Sequence, residues 1–187
     1  TGQLVVKYLA SQAADEGFKL AVGGRNRQKL DETMRQLGVK PDAVFTADSS
    51  DEASLRDMVK QVKVVASLVG PYLKFGEPLV KVCAELGVGY VDLTGESPFI
   101  QRTTTRYTRA ALDSKAILVH ASGFDSIPSD IGAFLAVQRL KTLGCNAGTV
   151  RSGFRARGGV SGGTIASIMG VLENEDKEER KRSMGPY

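Results

Sequence analysis

The run Val64-Val65-Ala66-Ser67-Leu68-Val69 does most to limit what this chain can become. Six mostly apolar residues without polar alternation read as a strand buried on both faces, the habit of parallel sheets covered by helices. Gly70-Pro71-Tyr72 closes the run, because proline cannot feed a ladder and turns the residue before it away from helix. Pro78 then stands where a first helical turn tolerates it. Leu79, Val82, Cys83 and Leu86 follow at helical offsets as one apolar stripe. Gly87 ends that helix, and residues 88–93 read as the next strand. Strand, loop, helix and strand make a parallel crossover unit, whose ligands bind in loops at the C-terminal strand ends. The Gly-Pro-Tyr turn thus falls on a ligand edge.

The same alternation runs through the rest of the chain. Thr1-Gly2 leads straight into a helical stripe of Leu4, Val5, Tyr8 and Leu9, and residues 18–24 read as a strand ending in glycines. Leu30, Met34 and Leu37 mark a helix, and residues 43–47 a strand. The cluster Asp48-Ser49-Ser50-Asp51 caps a helix carrying Leu55, Met58, Val59 and Val62. A polar, Thr-rich surface helix spans residues 98–113, a strand 116–121, and a helix apolar nearly all round 129–140. A strand over 150–154 and a helix carrying Ile165, Ile168, Met169 and Leu172 follow.

The expected fold is therefore α/β: a Rossmann-type doubly wound parallel sheet over residues 1–144, then the start of a second α/β domain over 145–187. A dinucleotide fold begins with strand, glycine-rich turn and helix, whereas here the helix comes first. The expectation is a sheet lacking its first strand, with Gly2 as the last glycine of the turn, letting the helix pack closely. In the strand order 3-2-1-4-5-6 that strand is central, which predicts a gap between the strands near residues 19–22 and 64–69. The apolar helix at 129–140 calls for cover, which the second domain would supply.

Bulk properties narrow the partners. The net charge is +4 over 187 residues and the basic residues are scattered, which argues against nucleic acid. Cys83 and Cys145 form no CxxC pair, as expected of buried thiols in a reducing, intracellular setting without a metal site. No apolar run reaches ~18 residues, so no membrane span is expected.

Arg25 carries the cofactor reading. It follows Gly23-Gly24 at a strand end, where an acidic side chain would take the ribose 2′-hydroxyl of NAD and an arginine suits the 2′-phosphate of NADP. A guanidinium is planar, permanently charged and binds phosphate through parallel hydrogen bonds. The alternative is a solvated arginine; the spacing and paired glycines favour NADP(H). Arg25 and Asn26 are assigned to the 2′-phosphate and adenosine, with Arg27 or Lys29 as helpers, and Asp48 to the adenine or to capping. Gly70, Pro71 and Tyr72 would flank the nicotinamide. Phe124-Asp125-Ser126 would face the ring and the substrate. Tyr72, Asp125 and Ser126 are the candidate proton donors.

Other residues read as structural at least as readily. Asp92 and Glu96, at the end of a strand, orient substrate or cap the helix that follows. His120, the only histidine, suits a satisfied core position better than an acid or base. Gly159-Val160-Ser161-Gly162-Gly163 matches a hydrolase nucleophile elbow, but there the histidine follows the serine, and His120 precedes it. Tyr-x-x-x-Lys, the short-chain dehydrogenase pair, is absent. Glu173–Lys177, Asp176–Arg180 and Glu178–Arg182 stand four apart, as on a solvated helix.

Together, Ser67-Leu68-Val69-Gly70-Pro71-Tyr72, Gly76-Glu77-Pro78-Leu79-Val80-Lys81-Val82-Cys83 and Tyr90-Val91-Asp92-Leu93-Thr94-Gly95-Glu96 resemble the saccharopine dehydrogenase-like oxidoreductases. Gly24-Arg25-Asn26, Gly123-Phe124-Asp125-Ser126-Ile127-Pro128-Ser129-Asp130 and Ser161-Gly162-Gly163-Thr164 extend the likeness along nearly the whole chain. The resemblance implies an NAD(P)-binding Rossmann domain followed by an α/β domain for substrate and dimerisation. It also implies hydride transfer to or from a C=C or C=N bond of a small-molecule or lipid-like substrate. The family includes trans-acting enoyl reductases of lipid synthesis and members at lipid droplets or mitochondria, so the expected location is cytoplasm or one of these. A non-catalytic NADP-binding scaffold or redox sensor is the alternative.

Overall fold

The computed structural model describes residues 1–155, 157–159 and 162–173. Ser161 of the elbow, and the partners completing the three charge pairs beyond residue 173, lie outside the described residues.

Helix and strand alternate as α1 (Gly2–Glu16), β1 (Ala21–Gly24), α2 (Arg27–Leu37), β2 (Ala43–Thr46), α3 (Glu52–Val59) and β3 (Val64–Ser67). Then come the single turn α4 (Tyr72–Phe75), α5 (Glu77–Leu86), β4 (Gly89–Asp92), α6 (Ser97–Ser114) and β5 (Leu118–Val119). Helices α7 (Ile127–Thr142) and α8 (Gly162–Leu172) follow. Every strand pairing is parallel, in two pieces: β1 with β2, and β3-β4-β5. The break between the two pieces falls between β1 and β3, where the strand order predicted a gap.

The core lies on the helix-covered face of β3-β4-β5, where Val59, Val80, Val82, Cys83, Tyr90 and Phe99 are fully buried. The stripe read on α5 is the one that packs there, with Leu79, Val80, Val82, Cys83 and Ala84 buried. Gly87 ends α5 with φ 72°, and a Cβ on it would lie 2.7 Å from the carbonyl oxygen of Ser114. Left-handed backbone and close approach together require glycine there.

Four expectations need correction. β3 is not buried on both faces: Val64 is 60% exposed and Ala66 is also exposed, because β3 has a ladder partner on one edge only among the described residues. The first strand starts at Ala21, not residue 18, because Leu20 bonds to Asp42 through both its backbone groups. Residues 150–154 are irregular, and among the described residues no strand pairs with them to complete a ladder. Finally, α1 buries none of its stripe; Leu4 and Tyr8 face outward. Helix α7 likewise buries no residue, leaving Phe134 and Leu135 more than half exposed.

The thiols differ sharply. Contrary to the expectation of two buried thiols, Cys145 is exposed, whereas burial pushes the Cys83 thiol up to about 12. Only thiolate reacts, so at about pH 8 Cys83 offers about one reactive form in ten thousand. A thiol-exchange reagent is expected to titrate Cys145 quickly and Cys83 only after unfolding; equal rates would contradict this core.

Candidate functional site

Within each piece of sheet the strands run the same way, so their C-terminal ends open onto a common rim, and the loops following β1, β2, β3 and β5 hold the candidate residues other than Gly2. At the β1 end, Asn26 caps α2: its Oδ1 accepts from Lys29 N–H at 2.9 Å. Arg27 is engaged, donating to Asp31 and to the Val44 carbonyl. Arg25 is exposed, and among the described residues it makes no hydrogen bond or salt bridge.

Asp48 lies near enough for the positive charge of Arg25 to contribute to holding its carboxyl below the usual range. The larger cause is Ser50, whose N–H (2.8 Å) and hydroxyl (2.7 Å) both donate to Asp48 Oδ1. Asp51, not Asp48, caps α3, accepting from Ala53 and Ser54 N–H. The strand end here presents the exposed guanidinium of Arg25, without a hydrogen bond or salt bridge among the described residues. That donor set suits a phosphate monoester. Gly2, at the start of α1, comes close to the β3 end: a Cβ on it would lie 3.9 Å from Leu68 Cδ1.

At the β3 end the Gly70–Pro71 peptide is cis, and Tyr72 opens α4. Tyr72 points inward: it is 4% exposed, its hydroxyl donates to the Ser67 carbonyl at 3.0 Å, and burial raises its pKa to about 12. Its ring packs against Phe99, centroids 5.6 Å apart. Asp125 and Ser126 lie across the rim on the loop after β5, and among the described residues neither side chain makes a hydrogen bond. The Asp125 carboxylate leans over the β4 loop, 3.6 Å from where a Cβ on Gly95 would stand. Phe124 beside it is 80% exposed.

The acids at and just after the end of β4, Asp92 and Glu96, serve the scaffold of this rim. Asp92, on β4, takes His120 Nδ1 on Oδ2 at 2.7 Å and the N–H groups of Thr94 and Ala121 on Oδ1. The other ring nitrogen of His120 stands 3.0 Å from Thr103 Oγ1. His120 is thus the satisfied residue its position suggested. The register explains it: Val91 pairs with Val119, so Asp92 and His120 are neighbours across the ladder. Ala121 holds φ 54°, a left-handed conformation rare outside glycine, fixed by its bond to Asp92. Nothing in an alanine codon announces that strain. Glu96 caps no amide of α6, contrary to one expectation; it binds the amides of α4.

Among the described residues no group of three or more metal-ligating side chains gathers, and no helix is long and apolar enough to cross a membrane.

Comparisons with known proteins fit this geometry. A trans-acting enoyl reductase, so named with the qualifier putative, of Mycobacterium tuberculosis is 37% identical over 195 residues, covering 100% of this chain and 45% of that protein. A lipid droplet localized protein of Caenorhabditis elegans is 41% identical over 138 residues, 71% of this chain and 32% of its own. The chain thus spans less than half the length of these relatives. Apo saccharopine dehydrogenase (L-Glu forming) of Saccharomyces cerevisiae superposes with TM-score 0.60 at 17% identity, over 76% of this chain and 29% of that one, which establishes the shared Rossmann-like fold. The saccharopine dehydrogenase NADP-binding domain matches residues 1–122. With its parallel strands and Arg25 exposed at the end of β1, the chain belongs to the saccharopine dehydrogenase NADP-binding domain family, and NADP(H) is its cofactor.

Proposed function

We propose that this chain supplies the NADP(H)-binding part of an oxidoreductase acting on a C=C or C=N bond, with a lipid-like small molecule as substrate. The observation that carries the reading is Arg25: exposed, without a hydrogen bond or salt bridge among the described residues, and at the kind of strand end where a 2′-phosphate is read. NADPH would supply the hydride; the protein's share is position, charge and the exclusion of water.

Arg25 would clamp the 2′-phosphate, with Asn26 and Asp48 bordering the adenosine. Gly2 would keep the start of α1 close to the rim, and Gly70-Pro71-Tyr72 would flank the nicotinamide. Asp125 and Ser126 are the proton donors of choice, since the Tyr72 hydroxyl is already committed to Ser67. Residues 1–144 would form the cofactor domain, and 145–187 would begin a substrate and dimerisation domain covering α7. The names of the relatives favour enoyl thioesters and a lipid-droplet setting over saccharopine-like imines.

The test uses native-length protein and Arg25→Glu. Loss of a charge-assisted phosphate contact, with repulsion added, is expected to weaken NADPH about 10- to 100-fold and leave NADH nearly unchanged. Absorbance of NADPH would then be followed with enoyl thioesters and imines. If NADPH and NADH bind alike before and after the change, the role of Arg25 is wrong. If NADPH binds but neither substrate class consumes it, the scaffold reading takes over.

A further inference from the structure

Glu96 is 1% exposed, and both its carboxylate oxygens are engaged. Oε1 accepts from Tyr72 N–H at 2.8 Å and from the Ser167 hydroxyl at 2.7 Å; Oε2 accepts from Leu73 N–H at 2.8 Å. Three segments distant in sequence meet on this one side chain: the loop after β4, the turn after β3, and α8. A second contact lies alongside. A Cβ on Gly70 would stand 3.6 Å from the Tyr72 ring and 3.8 Å from Ser167 Oγ, so α8 borders the turn directly.

We propose that Glu96 is a positioning residue that makes the Gly70-Pro71-Tyr72 turn depend on the docking of α8, with Ser167 as the contact through which α8 acts. The proposal rests on the reading of that turn as the nicotinamide edge. The physical reason is a shortage of acceptors. The amides of Tyr72 and Leu73 open α4 and have no partner within it. A buried donor without an acceptor is costly, so the turn keeps its shape only while a group with two acceptor oxygens faces it. A carboxylate accepts on both oxygens, whereas a glutamine would turn an NH₂ toward one of the two amides. Ser167 donates to the oxygen that also serves Tyr72, and so fixes the carboxylate's rotation. Helix α8 belongs to the region assigned to the substrate side, so nicotinamide seat and substrate side are assembled together rather than separately.

The test compares Ser167→Ala, Ser167→Thr and Glu96→Gln with the parent in native-length protein. Hydrogen exchange is read at the Tyr72 and Leu73 amides. Affinity is measured for NADPH and for 2′-phospho-ADP-ribose, which lacks the nicotinamide. Ser167→Ala is expected to speed exchange at both amides and weaken NADPH about ten-fold, leaving 2′-phospho-ADP-ribose within about two-fold. Ser167→Thr, which keeps the hydroxyl, should restore both readouts, and Glu96→Gln should exceed Ser167→Ala. If Glu96→Gln does not fold, Ser167→Ala carries the comparison alone. Unchanged exchange in Ser167→Ala overturns the proposal, as does an equal loss of both ligands, which a general loosening would give. Faster exchange with unchanged NADPH affinity also overturns it, and traces the failure to the cofactor reading of the turn.

Discussion

Asp92→Ala is expected to cost about 3–5 kcal/mol of stability, enough to leave a domain of ordinary stability largely unfolded at physiological temperature. The side chain is wholly buried and takes three partners: His120 Nδ1 and the N–H groups of Thr94 and Ala121. Alanine strands all three donors where water does not reach them, and each stranded group carries its own desolvation cost. It also removes the side-chain bond that holds Ala121 in its left-handed conformation, leaving the loop bearing Asp125 and Ser126 tied to residue 92 only through Ser122 N–H and the backbone carbonyl. Asp92→Asn should behave very differently. Its amide oxygen still accepts from Thr94 and Ala121, and its NH₂ can donate to His120 once the ring proton moves to Nε2. That nitrogen then donates to Thr103 Oγ1, whose own proton goes to the Phe99 carbonyl 2.9 Å away. The loss in Asp92→Asn is expected near 1 kcal/mol. Urea unfolding of the two variants separates the cases, and equal losses would mean that the charge of Asp92, rather than its acceptors, holds the rim.

What could be read in advance followed from local signals. Period-free apolar runs at 43–47 and 64–69, closed by Asp-Ser or Gly-Pro, gave strands, and stripes such as Leu79, Val82 and Cys83 gave the helices covering them. The split of the sheet between β1 and β3 was legible because strand order in a doubly wound fold follows from chain order. The exposure of Val64 was not, since an identical run is buried or open according to what lies beside it, and a neighbour is not a property of the run. Residues 150–154 failed for the same reason: β propensity becomes a strand only against a partner. The exposed place of Arg25 at the end of β1 was legible because strand ends and charge are local. The target of Glu96 was not, because its partners lie 23 and 24 residues before it and 71 after it. The Asp92–His120 pair stood between these extremes. It is reachable from the sequence once the two strands are taken as parallel neighbours, for both residues follow matched valines.

Gly76→Ala is the second substitution expected to be severe, at about 3 kcal/mol or more, and its cause is space rather than backbone conformation. Gly76 joins α4 to α5 at φ −81° and ψ −35°, where any residue is comfortable. Yet a Cβ there would stand 2.8 Å from both Phe99 Cε2 and Cζ, and 2.9 Å from the Tyr72 carbonyl oxygen. Phe99 cannot give way: it is fully buried, its ring set against Tyr72 and edge-on to His120. The carbonyl is backbone of the turn that Glu96 holds. Gly38 supplies the contrast, with φ 65° and nothing within 4 Å of its would-be Cβ, so Gly38→Ala should cost only the conformational term, about 1 kcal/mol. If crowding by the Phe99 ring is the cause, Phe99→Leu should offset part of it. The double variant Gly76→Ala, Phe99→Leu is then expected to be less destabilised than the sum of its parts by about 1 kcal/mol or more, read from a cycle of urea unfolding midpoints. Strict additivity would place the strain on the Tyr72 carbonyl instead, and the damage would appear as faster exchange at the amides of α4.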